Sequence, residues 1–151
     1  MKDKLTMGII GTGRIGSFHT RNLVRLIPEA NLVAVCDIRL DVARAVAEEL
    51  GIRRITPDYR ELLADKEIEA IVIASSTDTH AFMIKDAAKA GKHIFSEKPL
   101  ALDLPSIDDA LAVVDRAGVK LQVGFNRRFD HSFRRVREIV ASGQIGRPCI
   151  L

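Results

Sequence analysis

Glycines at positions 11, 13 and 16 form the most informative motif of the sequence. The motif stands between an apolar run and a segment with helical spacing, and it consists of Gly11, Thr12, Gly13, Arg14, Ile15 and Gly16. The first glycine permits a tight turn, the second lets backbone approach a pyrophosphate, and the third lets the helix pack closely on the strand. Because a helix N-terminus offers unpaired N–H groups and partial positive charge, the motif predicts the phosphate-binding turn of a dinucleotide site.

A carboxylate stands where such a site needs one. Asp37 ends the next apolar run, 21 residues after Gly16, and can accept hydrogen bonds from the adenosine ribose hydroxyls. Its charge repels a 2′-phosphate, which favours NAD over NADP. Ile38 and Arg39 follow it in the candidate cofactor site, and Arg39 could pair with a 2′-phosphate, so NADP stays open. The alternative for Arg39 is a solvated residue at the start of a helix.

Polar residues also follow the apolar run that ends near position 75. In an open parallel sheet, ligands bind outside the carboxyl ends of the strands, so these residues are candidates for cofactor contact. Ser75, Ser76 and Thr77 either cap the next helix or contact the cofactor, and spacing alone leaves both interpretations open. His80 lies in the first turn of that helix, where a structural hydrogen-bonding role is favoured over proton transfer.

Glu97, Lys98 and Pro99 follow the next apolar run. A lysine that faces a redox cofactor can hydrogen-bond a substrate hydroxyl, stabilise the alkoxide as hydride leaves, or relay its proton. Glu97 could hold that ammonium or meet the nicotinamide ribose. By position alone, the alternative is a charged surface turn that the proline fixes.

Short apolar runs and helical segments alternate throughout the chain and would position these residues. The runs are residues 5–10, 31–37, 70–75, 93–95 and 120–124. Several are apolar at every position, as strands buried on both faces of a parallel sheet are. The alternation predicts an α/β fold with a Rossmann-type doubly wound parallel sheet in a single domain.

Glycines and prolines suggest where the helices begin and end. Gly51 and Gly118 have the positions of C-caps, and Ser106 that of an N-cap. Pro28 ends the first helix. The remaining prolines are expected in connections, at positions Pro57, Pro99, Pro105 and Pro148.

Composition excludes several classes of protein. The 151 residues are 47% hydrophobic and carry 23 basic against 20 acidic residues, a near balance unlike the excess of a nucleic-acid binder. A groove-binding helix is conceivable around the late arginines, but a stripe formed by Phe129, Phe133, Val136 and Val140 favours an amphipathic helix with a solvated basic face. We expect no membrane segment, no metal site, a cytoplasmic location, and reduced thiols at Cys36 and Cys149.

These motifs together resemble the Gfo/Idh/MocA oxidoreductase family, and the last segment looks most like its inositol 2-dehydrogenase branch. The resemblance covers essentially the whole chain. It rests on the glycine turn, Asp37, residues 75–81, the Glu-Lys-Pro triplet at 97–99, and residues 122–130, which read QVGFNRRFD.

The resemblance implies NAD-dependent oxidation of a ring hydroxyl of a polyol or sugar, with myo-inositol as the leading substrate. Lys98 matches the active-site lysine that contacts the reacting hydroxyl, and Pro99 matches a proline that is typically cis. Arg128 would lie near nicotinamide and substrate, and Asn126 near the cofactor. His80 matches a histidine position of the cofactor pocket.

The resemblance also implies a second domain beyond Leu151, with the Asp and His that remove the proton and with the surface for homo-oligomerisation. Residues 1–124 would then be the dinucleotide-binding domain, and residues 125–151 a helix and connection that lead to the absent domain. The chain is thus expected to be the truncated cofactor-binding part of the enzyme. Another sugar dehydrogenase of the family and a non-catalytic NAD-binding or sensing module remain alternatives.

Overall fold

The computed structural model describes residues 4–149, in which strands and helices alternate. The strands are β1 (Leu5–Ile10), β2 (Ala30–Cys36), β3 (Arg54–Thr56), β4 (Ala70–Ile73), β5 (His93–Ser96) and β6 (Leu121–Val123). The α-helices are α1 (Arg14–Leu26), α2 (Leu40–Leu50), α3 (Tyr59–Ala64), α4 (Thr77–Lys89), α5 (Leu104–Ala117) and α6 (His131–Ala141). A short 3₁₀ helix (Asn126–Phe129) precedes α6.

The strands form one parallel sheet in the order β3-β2-β1-β4-β5-β6. The chain starts in the middle of the sheet, builds outward to one edge, and then returns to build the other half. All carboxyl ends therefore lie on one side, and a crevice opens between β1 and β4, where the winding direction reverses. The predicted Rossmann-type doubly wound fold is confirmed.

The core lies on both faces of this sheet because successive strand residues point to opposite sides. Ile9 of β1 packs with residues of β2, β4 and α2 on one face, whereas Ile10 joins the cluster under α3, α4 and α5 on the other. Residues of β4 are buried at every position. This two-sided burial explains why the strands read as continuous apolar runs rather than as alternating ones.

Periodicity did not predict β3 and α3. The strand has only three residues and α3 has six, so neither element is long enough to show a repeating pattern of apolar residues. Asp58 is the N-cap of α3, and its side chain accepts a hydrogen bond from the Arg60 N–H at 3.0 Å. With Glu61 three residues later, this is a recognisable start of a helix, and α3 buries Leu62 against the core.

The prediction that Ser106 caps α5 is wrong, as is the placement of Pro105 in a connection. The helix starts earlier, at Leu104, with Asp103 as its N-cap. The Asp103 carboxylate accepts the Ser106 N–H and the Ser106 hydroxyl, each at 2.8 Å. Pro105 fits the first helical turn because an N–H there would have no partner within the helix.

The other predicted helix ends are confirmed. Gly51 and Gly118 cap α2 and α5 in the left-handed conformation, with φ of 71° and 66°. Pro28 lies just after the end of α1. Pro57, Pro99 and Pro148 lie in connections.

The predicted amphipathic helix near the end of the chain is present as α6. Its apolar stripe, however, is open to solvent: Phe129, Phe133 and Val136 are 68%, 50% and 56% exposed. No residue of α6 is buried against another described element. Within residues 4–149, no helix combines the length and the apolar character needed to cross a membrane.

The two cysteines differ in environment, which predicts different reactivity. Burial raises the pKa of the Cys36 thiol to about 12, and the nearby carboxylates of Asp37, Asp58 and Glu61 add to the rise, whereas Cys149 is exposed. Because the thiolate is the nucleophile, iodoacetamide at mildly alkaline pH should label Cys149 alone in the folded protein and both cysteines in denaturant. Rapid labelling of Cys36 without denaturant, located by peptide mass spectrometry, would contradict this burial.

Candidate functional site

A crevice of about 510 Å³ opens at the carboxyl ends of β1, β2 and β4. This volume lies within the usual range of ligand pockets. Of the predicted site residues, the crevice is lined by Gly11, Gly13, Arg14, Ile15, Asp37, Ile38, Arg39, Ser75 and Ser76. The sheet therefore brings together residues from three separate predicted stretches. The other predicted site residues do not line it, and they are Thr12, Gly16, Thr77, His80, Glu97, Lys98, Asn126 and Arg128.

The glycine turn has open space beside Gly13 but no space for a side chain at Gly16. A Cβ on Gly13 would meet no atom within 4 Å, so the backbone there is open to the crevice. A Cβ on Gly16 would lie 1.9 Å from the Gly11 carbonyl oxygen, so α1 can approach the turn only without a side chain. Gly11 itself has φ of 90°, a conformation that favours glycine.

The N-terminus of α1 faces the space beside Gly13. Gly13 is the N-cap residue and supplies no side-chain oxygen to the first N–H groups of the helix. Those groups and the positive end of the helix dipole are suited to an anion such as a pyrophosphate. The turn thus fits the phosphates of a dinucleotide.

Asp37 is held in place by the same turn. Its Oδ2 accepts hydrogen bonds from the Thr12 N–H at 2.8 Å and the Thr12 hydroxyl at 3.0 Å, and its Oδ1 accepts the Arg39 N–H at 2.9 Å. The side chain is only 9% exposed. A carboxylate has about four acceptor sites in all, so Oδ1 retains capacity for a ribose hydroxyl. Thr12, itself fully buried, acts on the site through Asp37.

Arg39 stays close to this carboxylate without a tight ion pair. Its Nε lies 4.0 Å from Asp37 Oδ1, and its side chain is 63% exposed. An exposed arginine in this position can turn toward a 2′-phosphate. Binding of NADP therefore remains an alternative to binding of NAD. Ile38 beside it is 87% exposed and presents an apolar side chain to the crevice.

The wall on the α3 side was missed in the sequence because β3 and α3 were not predicted. Pro57 and Tyr59 line the crevice here, together with Met83 of α4. The Tyr59 hydroxyl donates to Asp86 at 2.7 Å, and burial, with the Asp86 contact, raises the Tyr59 pKa to about 12. The phenol therefore remains protonated and serves as a fixed wall. Pro57 after a short β-branched run was the signal that could have located this wall.

The loop between β4 and α4 is organised by its own hydrogen bonds. Ser76 has the N-cap position of α4 but makes no capping hydrogen bond with its side chain. The Ser75 and Thr79 hydroxyls are 2.6 Å apart, and Thr79 donates to the Ser76 carbonyl at 2.7 Å. Ser75 and Ser76 border the crevice, whereas Thr77, the first residue of α4, does not.

His80 is buried beneath that loop and does not line the crevice. It is 2% exposed, with Nδ1 2.7 Å from the Pro99 carbonyl oxygen and Nε2 3.1 Å from the Ser75 carbonyl oxygen. The ring therefore connects the β4–α4 loop with the turn after β5. Its cofactor-pocket role stays a prediction, and the geometry gives it a position behind the loop.

The turn after β5 places Lys98 at the same edge of the sheet. The Glu97 N–H donates to the Ile73 carbonyl at 2.9 Å, which aligns this turn with the end of β4. Lys98 is exposed, and among the described residues its ammonium has no hydrogen bond or ion pair. The Lys98–Pro99 peptide bond is cis, as the resemblance implies.

Asn126 and Arg128 lie farther along the same edge, in the 3₁₀ helix after β6. Both are exposed, and neither lines the crevice. Gly124 just before them packs against the Glu97 carboxylate, where a Cβ would be 3.3 Å from Cδ. Within residues 4–149, no group of three or more His, Cys, Asp or Glu side chains is placed to hold a metal ion.

Comparison with known proteins agrees with this geometry. The profile of the GFO_IDH_MocA oxidoreductase family, with its NAD-binding Rossmann fold, matches residues 5–125. An uncharacterized oxidoreductase of Bacillus subtilis is 48% identical over 151 residues, and myo-inositol 2-dehydrogenase of Thermotoga maritima is 42% identical over 147 residues. These alignments cover 100% and 97% of this chain.

A solved structure is also similar. Scyllo-inositol dehydrogenase of Lactobacillus casei, with bound NAD(H) and scyllo-inositol, superposes with a TM-score of 0.89 at 34% identity over 95% of this chain. The matched part is 43% of that chain, and 44% of each of the two relatives above. The chain therefore spans less than half the length of the proteins it matches.

Substitution by alanine should mainly weaken NAD binding at Gly13 and mainly lower the free energy of unfolding at Gly16. Gly13→Ala should change the free energy of unfolding by at most ~1 kcal/mol but weaken NAD binding at least about tenfold, because the Cβ displaces the pyrophosphate. Gly16→Ala should destabilise the fold by ~3 kcal/mol, because its Cβ meets backbone. Urea unfolding and calorimetric titration measure the two effects. Equal stability losses in both variants would show that the turn is packed differently.

Asp37→Ala should weaken NAD binding about tenfold and shift the preference toward NADP, because it removes both a ribose acceptor and a repelling charge. Thr12→Val is the matched control, since it removes one donor to Asp37 and keeps the carboxylate. The control should leave the ratio of NAD to NADP dissociation constants unchanged. If Asp37→Ala left that ratio unchanged as well, Asp37 would not determine the preference.

Proposed function

The chain belongs to the Gfo/Idh/MocA oxidoreductase family and forms its NAD-binding Rossmann domain, and from this we propose that the full-length protein is an NAD-dependent inositol 2-dehydrogenase. It would transfer hydride from a ring hydroxyl carbon of a polyol to the nicotinamide. The observation that carries the proposal is the position of Lys98, unpaired among the described residues, at the sheet edge where the cofactor crevice opens.

The cofactor half of the proposal rests on the glycine turn and Asp37. The N–H groups at the start of α1 would bind the pyrophosphate, and Asp37 would bind the adenosine ribose. Ser75 and Ser76, which line the crevice, and Asn126 would contact the cofactor, and Arg128 would lie near the nicotinamide and substrate. Cofactor contact by Thr77 stays a prediction. Bound NAD supplies the hydride acceptor, and the residues of this chain hold it in place.

Lys98 is the catalytic residue that we assign in this chain. Its ammonium can donate a hydrogen bond to the reacting hydroxyl oxygen and stabilise the negative charge that develops there. Glu97, which accepts the Lys98 N–H at 3.2 Å, fixes the backbone from which that side chain extends. The proton acceptor, an Asp and His pair in the resemblance, would come from the part of the relatives that this chain does not span.

Inositol is proposed as the substrate because the similar proteins are named for it, including one whose structure contains scyllo-inositol. Residues that distinguish one polyol from another would be supplied mostly by the remainder of the protein, so another sugar is the alternative within the same chemistry. The division at residue 124, homo-oligomerisation and a cytoplasmic location stay predictions.

Lys98→Ala in the full-length protein should lower kcat with NAD and myo-inositol about 100-fold or more, because a group that stabilises transition-state charge is lost. The NAD dissociation constant should change less than about threefold. Lys89→Ala, at the far end of α4, is the control for loss of an exposed lysine. Absorbance of reduced nicotinamide gives the rates. Unchanged turnover in Lys98→Ala would overturn the assignment, and a wild-type protein that binds NAD but oxidises no polyol would favour a non-catalytic module.

A further inference from the structure

His19 of α1 reaches across to the turn that carries Lys98. Its Nε2 lies 2.7 Å from Glu97 Oε1. Its ring packs edge-on against Phe95 of β5, with the ring centroids 5.3 Å apart and the planes at 68°. The sequence did not indicate a role for this residue. It belongs neither to the glycine motif nor to a segment that follows a strand, and its partner is 78 residues away.

The Glu97 carboxylate is enclosed, and His19 is its side-chain partner. The side chain is 14% exposed. Oε1 faces His19, Oε2 accepts the Lys98 N–H at 3.2 Å, and Gly124 packs against the carboxylate from the third side. No lysine or arginine forms an ion pair with Glu97 among residues 4–149. A carboxylate removed from water needs hydrogen bonds to be stable, and here the His19 ring and the Lys98 N–H are the two groups that hold it.

The His19–Glu97 contact joins the cofactor-binding helix to the turn that carries Lys98. His19 belongs to the helix whose N-terminus would bind the pyrophosphate, two turns or fewer from the glycine motif. Glu97 directly precedes Lys98 and fixes its N–H. The His19–Glu97 hydrogen bond is therefore a direct side-chain link between the cofactor-binding helix and the turn of Lys98.

We propose that His19 is a positioning residue: it holds the Glu97 carboxylate so that the Lys98 turn is fixed relative to the cofactor-binding helix. The structural part of this proposal stands on the geometry of the described residues. Its kinetic part rests on the proposed function, because it requires that Lys98 act on a substrate. The two parts are therefore tested separately.

Removal of the contact should affect turnover and not cofactor binding. The glycine turn and Asp37 make their hydrogen bonds without His19, so the pyrophosphate and adenosine sites remain. The Glu97 carboxylate, by contrast, loses the partner that holds it, so the acceptor of the Lys98 N–H is no longer fixed in place. A residue with only a packing role would lower stability without this separation between kcat and cofactor affinity.

The structural test is amide hydrogen exchange of this chain by NMR, in the wild type, His19→Leu and His19→Gln. Leucine keeps apolar contact with Phe95 but cannot donate, whereas glutamine places a donor near the position of Nε2. The Lys98 amide should exchange about tenfold faster in His19→Leu and return toward the wild-type rate in His19→Gln. The Ala74 amide, bonded to the Ile10 carbonyl, is the internal control and should not change.

The kinetic test uses the same variants in the full-length protein with NAD and myo-inositol. His19→Leu should lower kcat about tenfold while the NAD dissociation constant stays within about twofold, and His19→Gln should restore most of kcat.

Unchanged Lys98 exchange in His19→Leu, or equal acceleration at Lys98 and Ala74, would overturn the proposal. Altered Lys98 exchange in a protein that oxidises no polyol would support the positioning and reject the proposed function instead.

Discussion

The close approach of α1 to the end of β1 is the constraint on which the site depends. At Gly16 the helix backbone lies so near the Gly11 carbonyl that no side chain fits. This approach aims the N-terminus of α1 into the crevice between β1 and β4. It also places Thr12 where its N–H and hydroxyl hold Asp37. The proposed phosphate and ribose sites therefore both depend on this packing contact. From the same helix, His19 contacts the turn of Lys98.

Features that local residue types determine could be predicted from the sequence. The doubly wound sheet followed from runs that are apolar at every position, and the tight turn between β1 and α1 from three glycines between a strand and a helix. Gly51 and Gly118 were recognisable as helix ends because the left-handed conformation favours glycine. The spacing between the motif and Asp37 predicted that this carboxylate lies at the crevice, and the structure places it there.

Features that depend on partners distant in sequence could not be predicted. The Glu97 to His19 contact joins residues far apart, and the Tyr59 wall required a strand too short to show a period. The start of α5 was misplaced because Asp103, rather than Ser106, accepts the free N–H. The stripe on α6 predicted a helix correctly, yet only the structure shows that its apolar side has no cover among residues 4–149.

We expect that this chain alone binds NAD, whereas turnover would also need the part of the relatives that this chain does not span. Calorimetric titration of the 151-residue protein with NAD and NADP, followed by addition of myo-inositol under an absorbance assay for reduced nicotinamide, tests it most directly. We expect saturable binding with NAD preferred and no reduction of the cofactor. Absence of binding by a protein that circular dichroism shows to be folded would contradict the site, and steady turnover would contradict the assignment of proton removal to another part of the protein.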